Sequence, residues 1–315
     1  MIDQGKPVSA KILKDNIQVT KKKGKSLIEA FEYKKKQLKE LGQTGSHKKY
    51  VTIQSHIINF LKHQYGKIDI SLTELKLQFI KEFVHYLKTE GGISHNTSRG
   101  YMKQLKAISQ LAEDNEWIEK NPFKRFTMKE HEVDKVVLTE AELKKIEDKE
   151  IEIERLNEIK DAFLFACYTG LAYVDLEKIT LDEMVSLPDG KQMIITRRTK
   201  TETKATIYLS KKALAIIEKY KTHPICERSG KLLPMKSNQK YNAYLKEIQT
   251  LCGIDKNLTS HVARRTYGTI LLNNNVRLET VQKALGHKTI EQTQEYAKLL
   301  DGTIADELSK LDGKL

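Results

Sequence analysis

Nowhere does this 315-residue chain carry an uninterrupted apolar run near the roughly 18 residues a membrane-spanning helix needs, which excludes a helical membrane protein. Its three cysteines, Cys167, Cys226 and Cys252, are far apart. An odd, scattered set offers neither a disulfide framework nor a CxxC metal knuckle, and it suits a reducing cytoplasm. The opening stretch, MIDQGKPVSAKILKDN, has charges but no apolar segment behind them, so no secretory signal is read there. Internal repeats, low-complexity tracts, a GxxxxGK(S/T) nucleotide loop and a carboxylate cluster of the metal-binding kind are all missing. The expectation is a cytoplasmic protein that works without metal or cofactor.

What the chain has in excess is positive charge. Lysine and arginine number 55 against 42 acidic residues, a net of +13. The excess is uneven: residues 1–136 hold 26 basic and 16 acidic residues, a net of +10, whereas 137–315 hold 29 and 26, a net of +3. A first part that grips a polyanion would show this asymmetry, and so would a merely soluble basic surface. At 39% hydrophobic and 31% charged residues the chain can build a globular core, and its length suits about two domains.

Residues 1–25 contain Lys21, Lys22, Lys23 and Lys25 and little that forms a core, so they read as a basic lead-in. From Ser26 the apolar spacing turns helical, through Leu27, Ile28, Phe31, Leu38 and Leu41. A second helix runs through Val51–Leu61 toward Gly66, and a third through Leu75–Leu87, stopped by Gly91 and Gly92. Asn96, Thr97 and Ser98 are placed to cap a fourth, which carries Tyr101, Leu105, Ile108, Leu111 and Trp117 and ends before Pro122. Residues 26–125 thus read as a small helical domain and 126–136 as a linker. A new start follows, where Thr139 and Glu142 have capping-box spacing. Residues 137–315 are mostly helical, interrupted by one predicted β-hairpin: Met193–Ile195 and Ala205–Leu209 flank a turn-like Thr199–Thr203.

The chemistry concentrates near the C-terminal end. In Leu258–Thr266 (LTSHVARRT), Ser260 or Thr259 can cap a helix whose first turn holds His261, Arg264 and Arg265. Residues i, i+3 and i+4 share a helix face, so an imidazole and two guanidiniums would point one way near a positive helix end. That grouping suits a phosphate, because a guanidinium binds two of its oxygens at once. Downstream, Gly286 in VQKALGH looks like a helix C-cap and places His287 just past a helix end. Thr289 and Gln292 have capping-box spacing and begin a helix with Tyr296. Each piece alone has an ordinary structural reading; in this order and context they are hard to dismiss together.

HVARRT, LGHKTI and the following Tyr296 resemble the C-terminal box of the tyrosine recombinases of the phage-integrase type. The likeness is nearest to integrases of Bacteroides-type mobile elements, many of which carry an additional N-terminal arm-binding domain; this chain starts about where such a domain would end. The resemblance implies a mainly α fold. A SAM-like core-binding domain would fill 26–125, and a DNA breaking-rejoining catalytic domain with a small antiparallel sheet would fill 137–315. It implies that Tyr296 attacks a DNA phosphate to leave a 3′-phosphotyrosine and a free 5′-hydroxyl. Arg264 and His287 would hold the non-bridging oxygens, and His261 would assist proton transfer or hold the phosphate. Lys200, on the hairpin turn and by default just an exposed lysine, would protonate the leaving oxygen. The implied partners are double-stranded DNA, a homotetramer on two DNA sites and accessory DNA-bending proteins.

One departure stands out. Tyr168–Leu176 (YTGLAYVDL) resembles the family's TGLRxx(E/D)L box, but Ala172 occupies the place of its first catalytic arginine. Asp175 fits the supporting acidic position, which would brace Arg264. A substitute cation from Arg197, Arg198 or Lys178 would restore a recombinase. Without one, the chain would be a catalytically impaired DNA-binding protein derived from a recombinase. A type IB topoisomerase-like nicking-closing enzyme would share the same phosphotyrosine chemistry. The tail Leu299–Leu315 carries Leu300, Ile304, Leu308 and Leu311 at helical spacing, an apolar stripe that suits either its own domain or a neighbouring protomer.

Overall fold

The structure, a computed structural model, describes residues 24–297. Lys21–Lys23 of the lead-in and the apolar stripe of the tail lie outside the described residues. The chain is mainly α-helical with one small antiparallel sheet, and it divides into two compact units, 1–133 and 134–315.

In the first unit, helix α1 (Leu27–Glu40) starts at a reciprocal capping box between Ser26 and Glu29, and buries Leu27, Ala30, Phe31 and Leu38. Helix α2 (Thr44–Tyr65) stops at Gly66, whose φ of 64° is the left-handed turn that glycine adopts most easily. Helix α3 (Leu77–Thr89) and helix α4 (His95–Asp114) complete the bundle. Phe31, Ile57, Phe60, Phe83, Leu105 and Ile108 meet in its core. The cap of α4 is Ser94, not Asn96–Ser98: its hydroxyl accepts from the Thr97 N–H, and the three expected residues are already helical. Trp117 falls outside α4, in the turn that follows, where it packs edge-on against Tyr33 with the Lys25 ammonium 4.1 Å from its ring centre. Part of the stretch read as a linker lies along α4. Arg99 donates to the Met128 carbonyl, and Asn96 bonds the His131 backbone in both directions.

The second unit is built around helix α6 (Glu154–Thr169), whose residues are buried on nearly every side, among them Ile159, Phe163, Phe165 and Ala166. Helix α5 (Glu140–Asp148) precedes it, begun by the expected Thr139–Glu142 capping box. After α6 comes a single turn, α7 (Tyr173–Leu176). The expected hairpin is present as β2 (Gln192–Arg197) and β3 (Lys204–Tyr208), with Ile195 opposite Thr206 and Arg197 opposite Lys204. A further strand, β1 (Met184–Ser186), pairs antiparallel with β2. Helices α8 (Lys211–Tyr220), α9 (Pro224–Ser229) and α10 (Asn238–Leu251) follow. Helix α11 (Ser260–Asn273) packs against α6, and the short helices α12 (Leu278–Leu285) and α13 (Glu291–Ala297) pack against α11.

Candidate active site

Helix α11 supplies the first cations. Neither Ser260 nor Thr259 caps it through a side chain: Thr259 is the N-cap residue in extended backbone without such a bond, and Asn242 Oδ1 on α10 accepts from the Ser260 N–H at 3.1 Å. The i, i+3, i+4 spacing sets His261, Arg264 and Arg265 on one side but at different depths. His261 is exposed, Arg265 half-buried, and Arg264 only 5% exposed. The Arg264 guanidinium donates from Nη1 to the Gly170 carbonyl at 2.5 Å and from Nη2 to the Leu285 carbonyl at 2.6 Å. Two of its five N–H donors are thereby fixed to the backbone of two separate segments. Burial, then the nearby Arg198 charge, push its pKa down to about 10, which leaves it fully charged at neutral pH. The Tyr296 phenol lies close enough to act on that charge in the opposite direction.

Gly170 shows why a glycine ends α6. Its φ is 68°, and a Cβ there would stand 2.4 Å from Tyr267 Cδ1. The close approach sets its carbonyl within reach of Arg264.

His287 follows Gly286, the left-handed C-cap of α12 (φ 61°). Its Nδ1 lies 2.9 Å from the hydroxyl of Thr293, and its ring stacks on that of Tyr296, centroids 5.5 Å apart and planes 23° apart. Burial and the charges of Arg264 and Arg198 lower its pKa to about 4, so the ring is neutral at pH 7. Partial desolvation, then Arg265, Arg264, Lys200 and Arg198, push His261 below its ordinary value as well. The capping box expected from Thr289 and Gln292 does not form as such: α13 begins at Glu291, and Gln292 Oε1 accepts from the Lys288 N–H at 3.1 Å. Tyr296 is half-buried on α13, its ring against Gly268, where a Cβ would come within 3.0 Å.

The third contributor is the β2–β3 loop. Lys200 is exposed at its tip, and its charge reaches His261. The Arg198 N–H donates to the Thr203 carbonyl across the loop, and the Thr203 hydroxyl donates to the Gly286 carbonyl at 2.6 Å, pinning the loop to the end of α12. Arg198 has its Nε 3.5 Å from Asp175 Oδ2, and Asp175 Oδ1 accepts from the Thr199 N–H at 2.8 Å. Asp175, implied as the brace of Arg264, makes these bonds to the loop instead and acts on Arg264 through charge alone. Ala172 is the N-cap residue of α7 and offers no side-chain donor. Of the three candidate substitutes, Lys178 is exposed, and Arg197 is exposed with Nη1 donating to the Glu202 carbonyl. Only Arg198 acts on His261, Arg264 and His287 together.

The five expected residues are therefore brought to one place, joined by Arg198. Two further ones went unread in the sequence: Thr203, the pin of the loop, and Thr293, the partner of His287. Thr293 stands three residues before Tyr296, a helical interval that could have flagged it. Among the described residues no group of three or more histidine, cysteine or acidic side chains is arranged to hold a metal ion, and no helix is long and apolar enough to cross a membrane.

Comparison with known proteins bears on the family and the fold. Residues 127–302 match the phage integrase family, and residues 26–131 match the phage integrase SAM-like domain. A tyrosine recombinase XerA of Saccharolobus solfataricus is 31% identical over 118 residues, 38% of this chain and 39% of that protein. A tyrosine recombinase XerD of Pseudomonas putida is 29% identical over 143 residues, 42% of this chain and 46% of that one. The chain thus matches less than half the length of these curated relatives. Among solved structures, a lambda integrase dimer bound to a COC′ core site superposes with a TM-score of 0.68 at 17% identity, covering 86% of this chain and 95% of that one. The Tn1549 transposon integrase in complex with a circular intermediate DNA gives 0.64 at 20%, covering 85% and 94%. At such identities the likeness is one of fold.

Proposed function

Because this chain belongs to the phage integrase family, we propose that it is a site-specific DNA recombinase that cuts and rejoins strands through a 3′-phosphotyrosine. The observation that carries the reading is the meeting of Tyr296 with Arg264 and His287, one ring stacked on the other beside a buried guanidinium. A phenol with an ordinary pKa of about 10 needs cations nearby to attack at neutral pH.

In this reading the Tyr296 oxygen bonds to phosphorus while the bond from phosphorus to the 5′-oxygen breaks. The phenol proton passes to His261, whose lowered pKa leaves it neutral and able to accept. The Lys200 ammonium gives a proton to the departing 5′-oxygen. Arg264 and His287 hold the non-bridging oxygens as charge builds on them. Arg198 takes the part of the arginine missing at Ala172. Its side chain is 14% exposed, it is braced by Asp175, and it adds a second guanidinium next to Arg264. The phosphotyrosine keeps the bond energy, so religation by the 5′-hydroxyl needs no outside energy source. DNA would be gripped by the basic first unit as well, and by family likeness four protomers would act on two sites, with accessory DNA-bending proteins where the sites require them.

The test uses nicked suicide duplexes drawn from DNA flanking the gene. A covalent protein–DNA adduct should accumulate with the wild type and vanish with Tyr296→Phe, while binding persists. Sequence-selective binding with no adduct from the wild type would support an impaired DNA-binding descendant. Relaxation of arbitrary supercoiled plasmid, without joining of two sites, would support a topoisomerase-like enzyme.

A further inference from the structure

Thr293 lies on α13 one helical turn before Tyr296 and is completely buried. Its hydroxyl sits 2.9 Å from His287 Nδ1 and has no other hydrogen-bond partner among the described residues. A buried hydroxyl carries one proton that must be given to something, since leaving it without an acceptor forfeits the hydration it had in water. A neutral imidazole has one nitrogen that accepts and one that donates. If Nδ1 held the ring proton, the hydroxyl would have to accept, and its own proton would have no acceptor among the described residues. The arrangement in which both groups are satisfied has the hydroxyl donating to Nδ1. The ring proton then sits on Nε2, which has no partner of its own among the described residues.

We propose that Thr293 is a positioning residue that fixes His287 in the Nε2–H tautomer, so that the ring offers an N–H rather than a lone pair to the DNA phosphate. The phosphate half of this inference rests on the recombinase reading above; the tautomer half does not. The opposite tautomer would present a lone pair to an anionic oxygen, which repels it. The same bond has a second effect. It clips the helix of the nucleophile to the loop of the phosphate ligand, since Thr293 and Tyr296 share one face of α13 and both touch the His287 ring. The outer partner of a site histidine orients the ring and sets which nitrogen carries the proton, and this kind of support commonly costs 10–100-fold when removed.

The experiment reads the tautomer directly. In full-length protein with 15N-labelled histidine, proton–nitrogen correlation through two bonds shows which ring nitrogen is protonated, with His287→Gln identifying the signal. The wild type should show His287 neutral and protonated on Nε2. Thr293→Val, equal in size but without the hydroxyl, should give a mixture or the Nδ1–H form, and Thr293→Ser should restore the wild-type pattern. A wild-type ring protonated on Nδ1, or a spectrum unchanged in Thr293→Val, would overturn the proposal. With DNA, Thr293→Val should form the covalent adduct about 10–100-fold more slowly at unchanged DNA affinity, and Thr293→Ser should stay within a few-fold of the wild type. Wild-type adduct rates in Thr293→Val would also overturn it. Failure of the wild type to form any Tyr296-dependent adduct would instead remove the recombinase reading, and the nitrogen spectrum would still decide the tautomer.

Discussion

Arg198 and Asp175 form a nearly enclosed ion pair, Nε to Oδ2 at 3.5 Å, with side chains 14% and 3% exposed. The carboxylate holds the stem of the hairpin loop, and the guanidinium beyond it adds its charge to His261, Arg264 and His287. In the proposed reading, the pair supplies the second phosphate-binding cation that the sequence leaves open at Ala172.

Arg198→Ala is therefore expected to slow covalent adduct formation by about 100- to 1,000-fold, the usual cost of removing one group that stabilises transition-state charge. Single-turnover cleavage of a nicked duplex measures it. Arg197→Ala and Lys178→Ala, whose side chains are exposed and are not among the charges that shift His261 and His287, should stay within a few-fold of the wild type. Equal losses in all three would remove Arg198 from its special place.

Acid should destabilise the second unit before carboxylates are neutralised. His287 has a folded pKa near 4 against an ordinary 6.5, so between those values the unfolded chain binds the extra proton. Stability then rises with pH across that window and is lost as pH falls from 6.5 toward 4. The ring is only partly shielded from water, so the change is on the order of 1–2 kcal/mol. Urea denaturation at several pH values, compared with His287→Gln, should show this slope in the wild type and a shallower one in the variant.

Gly286→Ala is expected to hurt both fold and chemistry. Its φ of 61° disfavours a side chain, and the new Cβ would stand 2.9 Å from Arg198 Cδ and 3.0 Å from Ala205 Cβ. We expect a loss of about 1–3 kcal/mol in denaturation. The drop in adduct formation should exceed what the unfolded fraction explains, because Arg198 is displaced. Gly190→Ala, at a comparable φ of 80° but with open space around it, should cost stability without that extra loss of cleavage.

Affinity for duplex DNA should fall steeply with salt, since lysines that neutralise phosphates release bound counterions. Six or more such contacts would weaken binding by about three orders of magnitude between 50 and 200 mM salt. Fluorescence anisotropy across that range provides the slope; a flat response would contradict a charge-driven grip by residues 1–136, whose net charge is +10.

Much of the framework was legible because it is written in local pattern. Apolar spacing located α1 to α4, β-rich runs on either side of a turn-like stretch located β2 and β3, and the Thr139–Glu142 interval marked the start of α5. The HxxR spacing and the glycine before His287 brought the cations to one end of the second unit. What local pattern could not show was depth and partner choice. Arg264 reads as displayed beside His261 and Arg265, yet its guanidinium turns inward to the carbonyls of Gly170 and Leu285, segments 94 and 21 residues away. Ser94 caps α4 ahead of three equally suitable residues because selection among cappers depends on where the chain enters the helix. Strand β1 is three residues long and owes its existence to β2, so it has no periodicity of its own. Thr293 shows only a helical interval from Tyr296 in the sequence, and its bond to His287 across the turn comes from the fold.

The two carbonyl bonds of Arg264 make one side chain both a tool and a rivet. The α6 terminus, α11 and the end of α12 are fastened through it, so a substitution that removes the guanidinium also removes the bonds that close this seam. Loss of this charge should therefore register in the stability of the corner that it closes as well as in any grip on an anion.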